Sequence, residues 1–252
     1  MKNKLDFVEK ENIEIVFSNS NHTFPLHSHE SFCYGIVTSG GVFFEIDGER
    51  KLLTRGMSYI IPSNHGVIIE SAPTYRYIAI CIKNHAKDRL NQYNYTDHYP
   101  EYISCSTIET LCDQFKNTGD EEALVSELIH LLAPVTALEI RDPSYDEELI
   151  TSAKQYIRDH VNERFQLEEL AAHVHVSKYY LIRLFKSAVG VTPNQYYIQA
   201  KLSKAKEGLQ MGFSPTEVAT ELNFNDQSYM CRQFKRLMGI SVTDYLDHYH
   251  KI

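Results

Sequence analysis

The residues of this chain that could do chemistry lie mainly in two similar stretches towards the C-terminal end. Segments 183–196 and 232–245 share an Arg, a Phe, a Lys, a Gly and a Tyr at a single offset of 49 positions. Both contain basic and amide side chains, which can donate hydrogen bonds to phosphates and to the edges of bases. The repeat indicates one supersecondary unit that occurs twice in the chain.

The charge of the chain is unevenly distributed. The formal net charge is −8, which taken alone argues against a polyanionic partner. Residues 1–145 carry all of that excess, whereas residues 146–252 contain 13 basic and 13 acidic residues. Segment 177–206 has six basic residues and no acidic one, and segment 227–240 has three and none. Because the local field governs polyanion binding, both segments are suited to nucleic acid.

Each repeated unit is predicted to be a helix-turn-helix. In the first unit, apolar residues at helical spacing over 167–174 precede a turn, after which Ser177 caps a second helix. In the second unit, the same pattern covers 218–222, and Asp226 is the cap. The second turn is one residue longer, and Asn223 stands where such units usually have glycine. Asparagine tolerates the left-handed conformation better than most residues.

The second helix of such a unit lies in the major groove and reads bases with residues near its N-terminus. This placement turns a set of side chains outward as base-reading candidates: Lys178, Tyr179 and Arg183 in the first unit, and Gln227, Ser228, Tyr229 and Arg232 in the second. Arginine can pair with guanine through two hydrogen bonds, and glutamine with adenine. Candidates for phosphate contact are Lys186, Lys201, Lys204, Lys235 and Arg236.

The alternative is a helical bundle whose charged residues are only solvated. Two observations argue against it: the unit occurs twice, and both second helices lack acidic residues after their caps. The segment 193–211 that joins the units is predicted to be one long helix starting at Pro193. At 1.5 Å per residue it spans about 27 Å, which could place the two second helices in successive major grooves of one duplex. Lys201 and Lys204 share one face of this helix. Its predicted buried stripe consists of Ile198, Leu202, Ala205 and Leu209.

Residues 147–246 resemble the tandem helix-turn-helix domain of AraC/XylS-type transcription regulators. The match rests on motifs in both units, Leu167-Glu-Glu-Leu-Ala171 and Tyr180-Leu-Ile-Arg-Leu-Phe-Lys186 in the first and Gln227-Ser-Tyr229 with Arg232-Gln-Phe-Lys235 in the second. A cytoplasmic homodimer is expected, with RNA polymerase as a further candidate partner. The resemblance implies transcription control at promoter DNA. It also adds Ile182 and Cys231 to the base-reading positions, where contact with a thymine methyl would replace hydrogen bonding.

The first hundred residues are predicted to be strands. Segments 42–46 and 51–53 flank Asp47-Gly48, a dipeptide suited to a tight hairpin, and several further short β-branched or aromatic runs indicate a sandwich or barrel. Apolar residues at helical spacing then predict two antiparallel helices within 107–132, separated by a stop and cap at 117–120. Their apolar sides could pack on the barrel, form a dimer interface, or do both.

Histidines near the start of the chain suggest a ligand site. His27 and His29 lie two positions apart, and Gly56, Pro62 and His65 follow, so that segment 24–82 resembles the cupin barrel signature. A small-molecule effector site is therefore expected to include the side chains His27, His29, Tyr34 and His65. The alternative is a metal held by His27, His29 and His65. Metal cupins carry a carboxylate where this chain has Cys33 and Tyr34, so no metal or other cofactor is predicted.

Together these observations predict an α+β protein of two domains. Residues 1–135 form a cupin-like β-barrel with two helices for effector binding and dimerisation, 136–146 a linker, and 147–252 an all-α DNA-binding domain with two helix-turn-helix units. No run of 18 apolar residues or apolar leader is present, so neither a membrane span nor export is expected. Five cysteines without CxxC spacing fit a reducing cytosol.

The function expected from the sequence is that of an effector-controlled, sequence-specific DNA-binding regulator rather than an enzyme. One alternative is a regulator without an effector, whose barrel only dimerises. A second is a metal-dependent cupin enzyme, which would leave the repeat unexplained. No nucleophilic triad, phosphate loop or HExxH motif supports another enzyme class.

Overall fold

The computed structural model describes residues 4–138 and 145–249. The chain forms two compact units, each with its own core. The first unit comprises the described residues within 1–23 and 29–141. The second unit comprises the described residues within 24–28 and 142–252.

The strands of the described residues are, in chain order, β1 (Lys4–Glu9), β2 (Ile13–Ser20), β3 (Phe24–Ser28), β4 (Phe32–Ile46), β5 (Glu49–Thr54), β6 (Ser58–Ile61), β7 (Gly66–Ile82), β8 (Tyr93–Tyr95) and β9 (Thr136–Leu138). In the first unit, antiparallel pairing runs in the order β1-β2-β7-β4-β5, and β6 also pairs with β4. A separate ladder joins β8 and β9. Residues 136–138 of the predicted linker are therefore a strand, and residues 139–144 lie outside the described residues.

The α-helices of the first unit are α1 (Asp88–Asn91), α2 (Cys105–Thr118) and α3 (Glu121–Leu132). Those of the second unit are α4 (Tyr145–Asp159), α5 (Leu167–His173), α6 (Lys178–Val189), α7 (Pro193–Gln210), α8 (Pro215–Glu221), α9 (Gln227–Met238) and α10 (Val242–Tyr249). Over the ranges that the structure describes, none of these helices is both long enough and apolar enough to span a bilayer.

The predicted hairpin at Asp47-Gly48 is confirmed. The two residues have φ of 51° and 81°, and they join β4 to β5 with Ile46 opposite Glu49. Two-residue hairpin loops of this kind need positive φ at both positions, which Asp and Gly can adopt. Gly40 and Pro73 do not end strands, since β4 and β7 run through them with register shifts near residues 38 and 41.

Side chains on the two sides of the sheet enter different apolar clusters. In β4, Phe32, Tyr34 and Ile36 join a cluster with residues of α2 and α3, whereas Cys33 and Phe44 join a cluster with Tyr residues of neighbouring segments. The apolar sides of α2 and α3 thus complete the core of this unit. Packing on the sheet, the first of the predicted alternatives for these helices, is confirmed.

The boundary between α2 and α3 follows the predicted stop and cap. Gly119 has φ of 66° at the end of α2, where its amide donates to the Phe115 carbonyl oxygen over 2.8 Å. The Asp120 carboxylate then accepts a hydrogen bond from the Ala123 amide over 3.0 Å at the start of α3. Left-handed glycine ends one helix and a side-chain acceptor starts the next, so both ends have paired backbone groups.

Helix α7 is the centre of the second unit. One cluster packs α4, α5 and α6 against its first half through side chains such as Phe185 and Tyr196. Helices α8, α9 and α10 contact the same helix. Of the predicted stripe, Leu202, Ala205 and Leu209 are buried and Ile198 is half-buried. Both repeated units therefore share α7 as a common support.

Substitution of Gly35 tests the packing of the sheet. Gly35 lies opposite Tyr59 in the β4–β6 pair, and a Cβ atom on Gly35 would collide with the Tyr59 ring at Cζ. Gly35→Ala should lower the free energy of unfolding of the full chain by about 1–3 kcal/mol, as overpacking does elsewhere. The matched control is Gly41→Ala, where the nearest atom would be 3.5 Å away. Urea denaturation followed by circular dichroism measures both; equal midpoints for the two variants would contradict the packing described.

Candidate nucleic-acid interface

The two helix-turn-helix units close their first helices in the same way. His175 and Asn223, which are 48 residues apart, have φ of 57° and 51°. The next amides, of Val176 and Phe224, donate to the carbonyl oxygens of Ala171 and Ala219 over 3.0 and 2.9 Å. This is the hydrogen-bond pattern of a left-handed helix end, and it confirms the predicted role of Asn223.

The second helices of the units begin with the predicted caps. The Ser177 hydroxyl accepts from the Tyr180 amide over 3.3 Å, and the Asp226 carboxylate accepts from the Tyr229 amide over 2.6 Å. The caps are 49 residues apart, whereas the left-handed residues are 48 apart. The second turn is therefore one residue longer, as the sequence predicts.

The buried sides of α6 and α9 repeat as well. Leu181 and Phe185 are buried in α6, and Met230 and Phe234 occupy the positions 49 residues later in α9. Each phenylalanine packs edge-on against a tyrosine, with 5.4 Å between ring centroids in both units. Equal anchoring fixes which sides of the two helices are left for a partner.

The remaining sides of α6 and α9 present most of the base-reading candidates to solvent. Tyr179 is 77% exposed, which is unusual for a large aromatic side chain and leaves its ring available to a partner. Arg183, Gln227, Ser228 and Arg232 are exposed, whereas Lys178, Ile182, Tyr229 and Cys231 are half-buried. In α6 the Arg183 guanidinium carbon lies 5.6 Å from the centre of the Tyr180 ring.

In both units, the first residue of the second helix is tethered to the helix before it. The Lys178 ammonium donates to Glu168 over 3.0 Å, and the Thr216 hydroxyl donates to the Gln227 side-chain oxygen over 2.9 Å. Glu168 and Thr216 are 48 residues apart, so the tethers are equivalent. The hydrogen bond between Lys178 and Glu168 raises the pKa of the ammonium and lowers the pKa of the carboxyl.

Sequence patterns did not identify these two tethering residues. Glu168 and Thr216 differ in type, so a search for identities at one offset passes over them. The one-residue difference between the turns also shifts them to the offset of 48. Aligning the first helices separately from the second helices would have paired them.

The candidates for phosphate contact divide into an exposed set and one buried residue. Lys186, Lys235 and Arg236 are exposed on the second helices, and Lys204 is exposed on α7, where it lies 3.6 Å from Glu207. Lys201 is only 4% exposed, so its prediction as a phosphate contact is wrong. Because both units pack on α7, the helix is buried over more of its circumference than a single apolar stripe indicates.

The effector candidates His29, Tyr34 and His65 lie in the first unit, whereas His27 belongs to the second. The His29 carbonyl oxygen accepts from the Asn64 amide over 2.6 Å, which brings His29 next to His65 along the backbone. Tyr34 is fully buried in the cluster that faces α2 and α3, and burial raises its pKa. His27 lies in β3, where its Nδ1 is 2.7 Å from the Pro25 carbonyl oxygen.

His65 has partners that the sequence did not indicate. Its Nε2 lies 3.6 Å from Asp47 Oδ2, and His98 Nε2 lies 3.2 Å from the same carboxylate oxygen. Within the described ranges, no three or more His, Cys, Asp or Glu side chains are placed to hold a metal ion.

Two family descriptions match separate parts of the chain. Residues 14–132 match the AraC-like ligand binding domain, and residues 170–248 match a helix-turn-helix domain. The first match coincides with the sheet, α2 and α3, and the second with most of α5 through α10.

Relatives cover nearly the whole chain. It is 24% identical over 241 residues to the HTH-type transcriptional regulator YbfI of Bacillus subtilis, covering 85% of this chain and 84% of the relative. It is 26% identical to the probable transcriptional regulator LumQ of Photobacterium leiognathi, covering 90% and 93%. The crystal structure of ToxT from Vibrio cholerae with a bound unsaturated fatty acid has a TM-score of 0.66 at 13% identity, covering 97% and 99%. That likeness shows that the fold is the same.

Removal of the acidic tether should strengthen binding to a polyanion. Glu168→Gln eliminates a negative charge beside the N-terminus of α6 and leaves the Lys178 ammonium without its ion pair. We expect higher affinity for duplex DNA and a steeper dependence of log K on log salt concentration, since phosphate contacts release counterions. The control is Glu122→Gln, which breaks the Arg89–Glu122 ion pair of the first unit instead and should leave DNA binding unchanged. Fluorescence anisotropy at several salt concentrations measures both variants, and an unchanged affinity and slope for Glu168→Gln would contradict the expectation.

Proposed function

Because this chain is a DNA-binding transcription regulator of the AraC type, we propose that α6 and α9 read two segments of promoter DNA in successive major grooves. The observation that supports this most strongly is the repeated geometry of the two units. Turn, cap, tether and buried anchor recur in each. Both second helices present basic side chains without an acidic residue, and α9 adds the amide of Gln227. A bundle with merely solvated charges would not require that repetition.

The proposed base contacts are those whose side chains leave α6 and α9 near their N-termini. Arg183 and Arg232 can each donate two hydrogen bonds to a guanine, and Gln227 can pair with an adenine. Ile182 and Cys231 are suited to thymine methyl groups. The set of proposed base-reading residues is Lys178, Tyr179, Ile182, Arg183, Gln227, Ser228, Tyr229, Cys231 and Arg232.

Phosphate contacts are proposed for exposed basic residues at the flanks of these helices. Lys186 in α6 corresponds to Lys235 in α9, and Arg236 follows it. Lys204 on α7 lies between the two units in sequence. Such contacts would fix the register of the protein on DNA without reading sequence.

The proposed task of residues 1–135 is to bind a small-molecule effector and to dimerise the chain. Residues 136–146 would be the linker to the DNA-binding part at 147–252. The matched ligand-binding family supports an effector, and Tyr34, His27, His29 and His65 remain the candidate contacts. Since the sheet covers the apolar sides of α2 and α3, a second copy would meet their outer sides along the groove between Thr110 and Glu127.

We further propose that the chain acts in the cytoplasm, where its DNA target lies, without a catalytic activity or a cofactor of its own. RNA polymerase is the proposed additional partner at promoters. An effector-independent regulator is the second candidate, because Tyr34 is fully buried in a closely packed apolar cluster.

Alanine variants of the two arginines test the groove assignment. Arg183→Ala and Arg232→Ala should each relax the preference at one base position by about 1–3 kcal/mol. Lys204→Ala should weaken binding to all sequences alike and reduce the salt slope by about 1. Selection of bound sequences from random DNA by the full chain, followed by affinity measurements, provides the readout. Wild-type affinity and wild-type base preference in both arginine variants would refute the proposed reading.

A ligand screen separates the two candidate functions. Unsaturated fatty acids, which the ToxT neighbour binds, are the first probes, with sugars and aromatic acids beside them. A bound effector should raise the melting temperature of the full chain, since a ligand that binds only the folded state stabilises it. If no compound shifts melting or changes DNA binding, the effector-independent candidate is favoured.

A further inference from the structure

Lys201 is buried in the middle of α7 although lysine is rarely enclosed without an opposite charge. Its exposed fraction is 4%. Among the residues that the structure describes, no carboxylate forms an ion pair with it. Burial accordingly lowers the pKa of its ammonium. An ammonium group that stays charged at this position needs partners other than carboxylates.

Oxygen atoms and aromatic rings supply those partners. The Lys201 ammonium donates to the Tyr197 hydroxyl oxygen over 2.7 Å and to the Asn223 carbonyl oxygen over 2.9 Å. It also lies 4.9 Å from the Tyr197 ring centre and 4.7 Å from that of Phe224. Hydrogen bonds from charged donors are stronger than neutral ones, and aromatic faces attract cations.

These contacts continue into the first helix-turn-helix unit. The Tyr197 hydroxyl, which accepts from Lys201, donates to the Glu163 carbonyl oxygen over 2.6 Å. Phe165 stacks on the Tyr197 ring with 5.1 Å between centroids. Glu163 and Phe165 lie in the segment that leads into α5. One hydrogen-bonded path therefore runs from the entry of the first unit across α7 to the turn of the second.

The path ends at the turn that leads into α9 and sets the orientation of that helix. Asn223 is the left-handed residue of the second turn, and Asp226 caps α9 only three positions later. Phe224, which borders the ammonium, is also 6.3 Å from the Tyr229 ring in the first turn of α9. A change at Lys201 would therefore first alter the position of α9.

We propose that Lys201 is a positioning residue that holds α9 at a fixed place relative to α6 and so sets the spacing between the two DNA segments that the protein accepts. This inference rests on the proposed reading of DNA by both helices. Lys201 contacts no phosphate or base; it acts through Tyr197 and the Asn223 turn.

The test compares spacing variants of one DNA site. The full chain first selects its site from random duplexes, and a second duplex then carries one additional base pair between the two read segments. That insertion rotates the second segment by about 35°. We expect it to weaken wild-type binding about tenfold or more. Lys201→Met should bind the intact site less tightly and lose less than about threefold on insertion, because its second unit is free to adjust.

The control and a second variant make the result decisive. Lys204→Met lies three residues away on the exposed side of α7 and should weaken both duplexes alike while keeping the wild-type insertion effect. Tyr197→Phe removes only the hydroxyl that links Lys201 to Glu163, so it should also reduce the insertion effect. If Lys201→Met fails to fold, Tyr197→Phe decides the outcome.

The possible failures are distinguishable. A wild-type chain that selects no sequence refutes the proposed function. The role of Lys201 alone is refuted if the wild-type chain selects a two-part site and Lys201→Met keeps the wild-type insertion effect. If Lys201→Met is unfolded, the same result in Tyr197→Phe refutes that role.

Discussion

The DNA-binding half of this protein depends on one constraint: a pair of short helices cannot enclose its own apolar surface. Helices α5 and α8 each have seven residues, and their buried side chains need a further surface. Helix α7 provides that surface to both units. Sharing one support means that neither α6 nor α9 is positioned independently of the other. The buried ammonium of Lys201 lies at this shared support, where it bonds towards both units at once.

In the first unit, a sheet and two helices bury each other's apolar surfaces. Its sheet has two apolar sides, and helices α2 and α3 cover one of them. The alternation of side chains along β4 then sends Tyr34 and Cys33 to opposite sides. Consequently the residues that a cupin resemblance groups as one effector site are distributed over different surroundings, and Tyr34 is part of the packing beneath the helices.

Local signals in the sequence predicted much of this structure. Caps at Ser177 and Asp226, the left-handed Asn223 and the Asp47-Gly48 hairpin depend on neighbouring residues only, so their types are sufficient. The long strands β4 and β7 were less predictable, because Gly40 and Pro73 resemble strand ends but are accommodated by register shifts. Lys201 was misassigned because periodicity describes one buried side of a helix, whereas α7 packs against elements on several sides. The Glu168 tether was not predicted, because it depends on a contact between two helices.

The most direct test of two-groove reading is methylation interference with the full chain bound to its selected site. Methylation of guanine N7 blocks contacts in the major groove. Reading of two successive grooves should give two clusters of interfering guanines on the same side of the duplex, about one helical turn apart. A single cluster, or two clusters on opposite sides of the duplex, would contradict it.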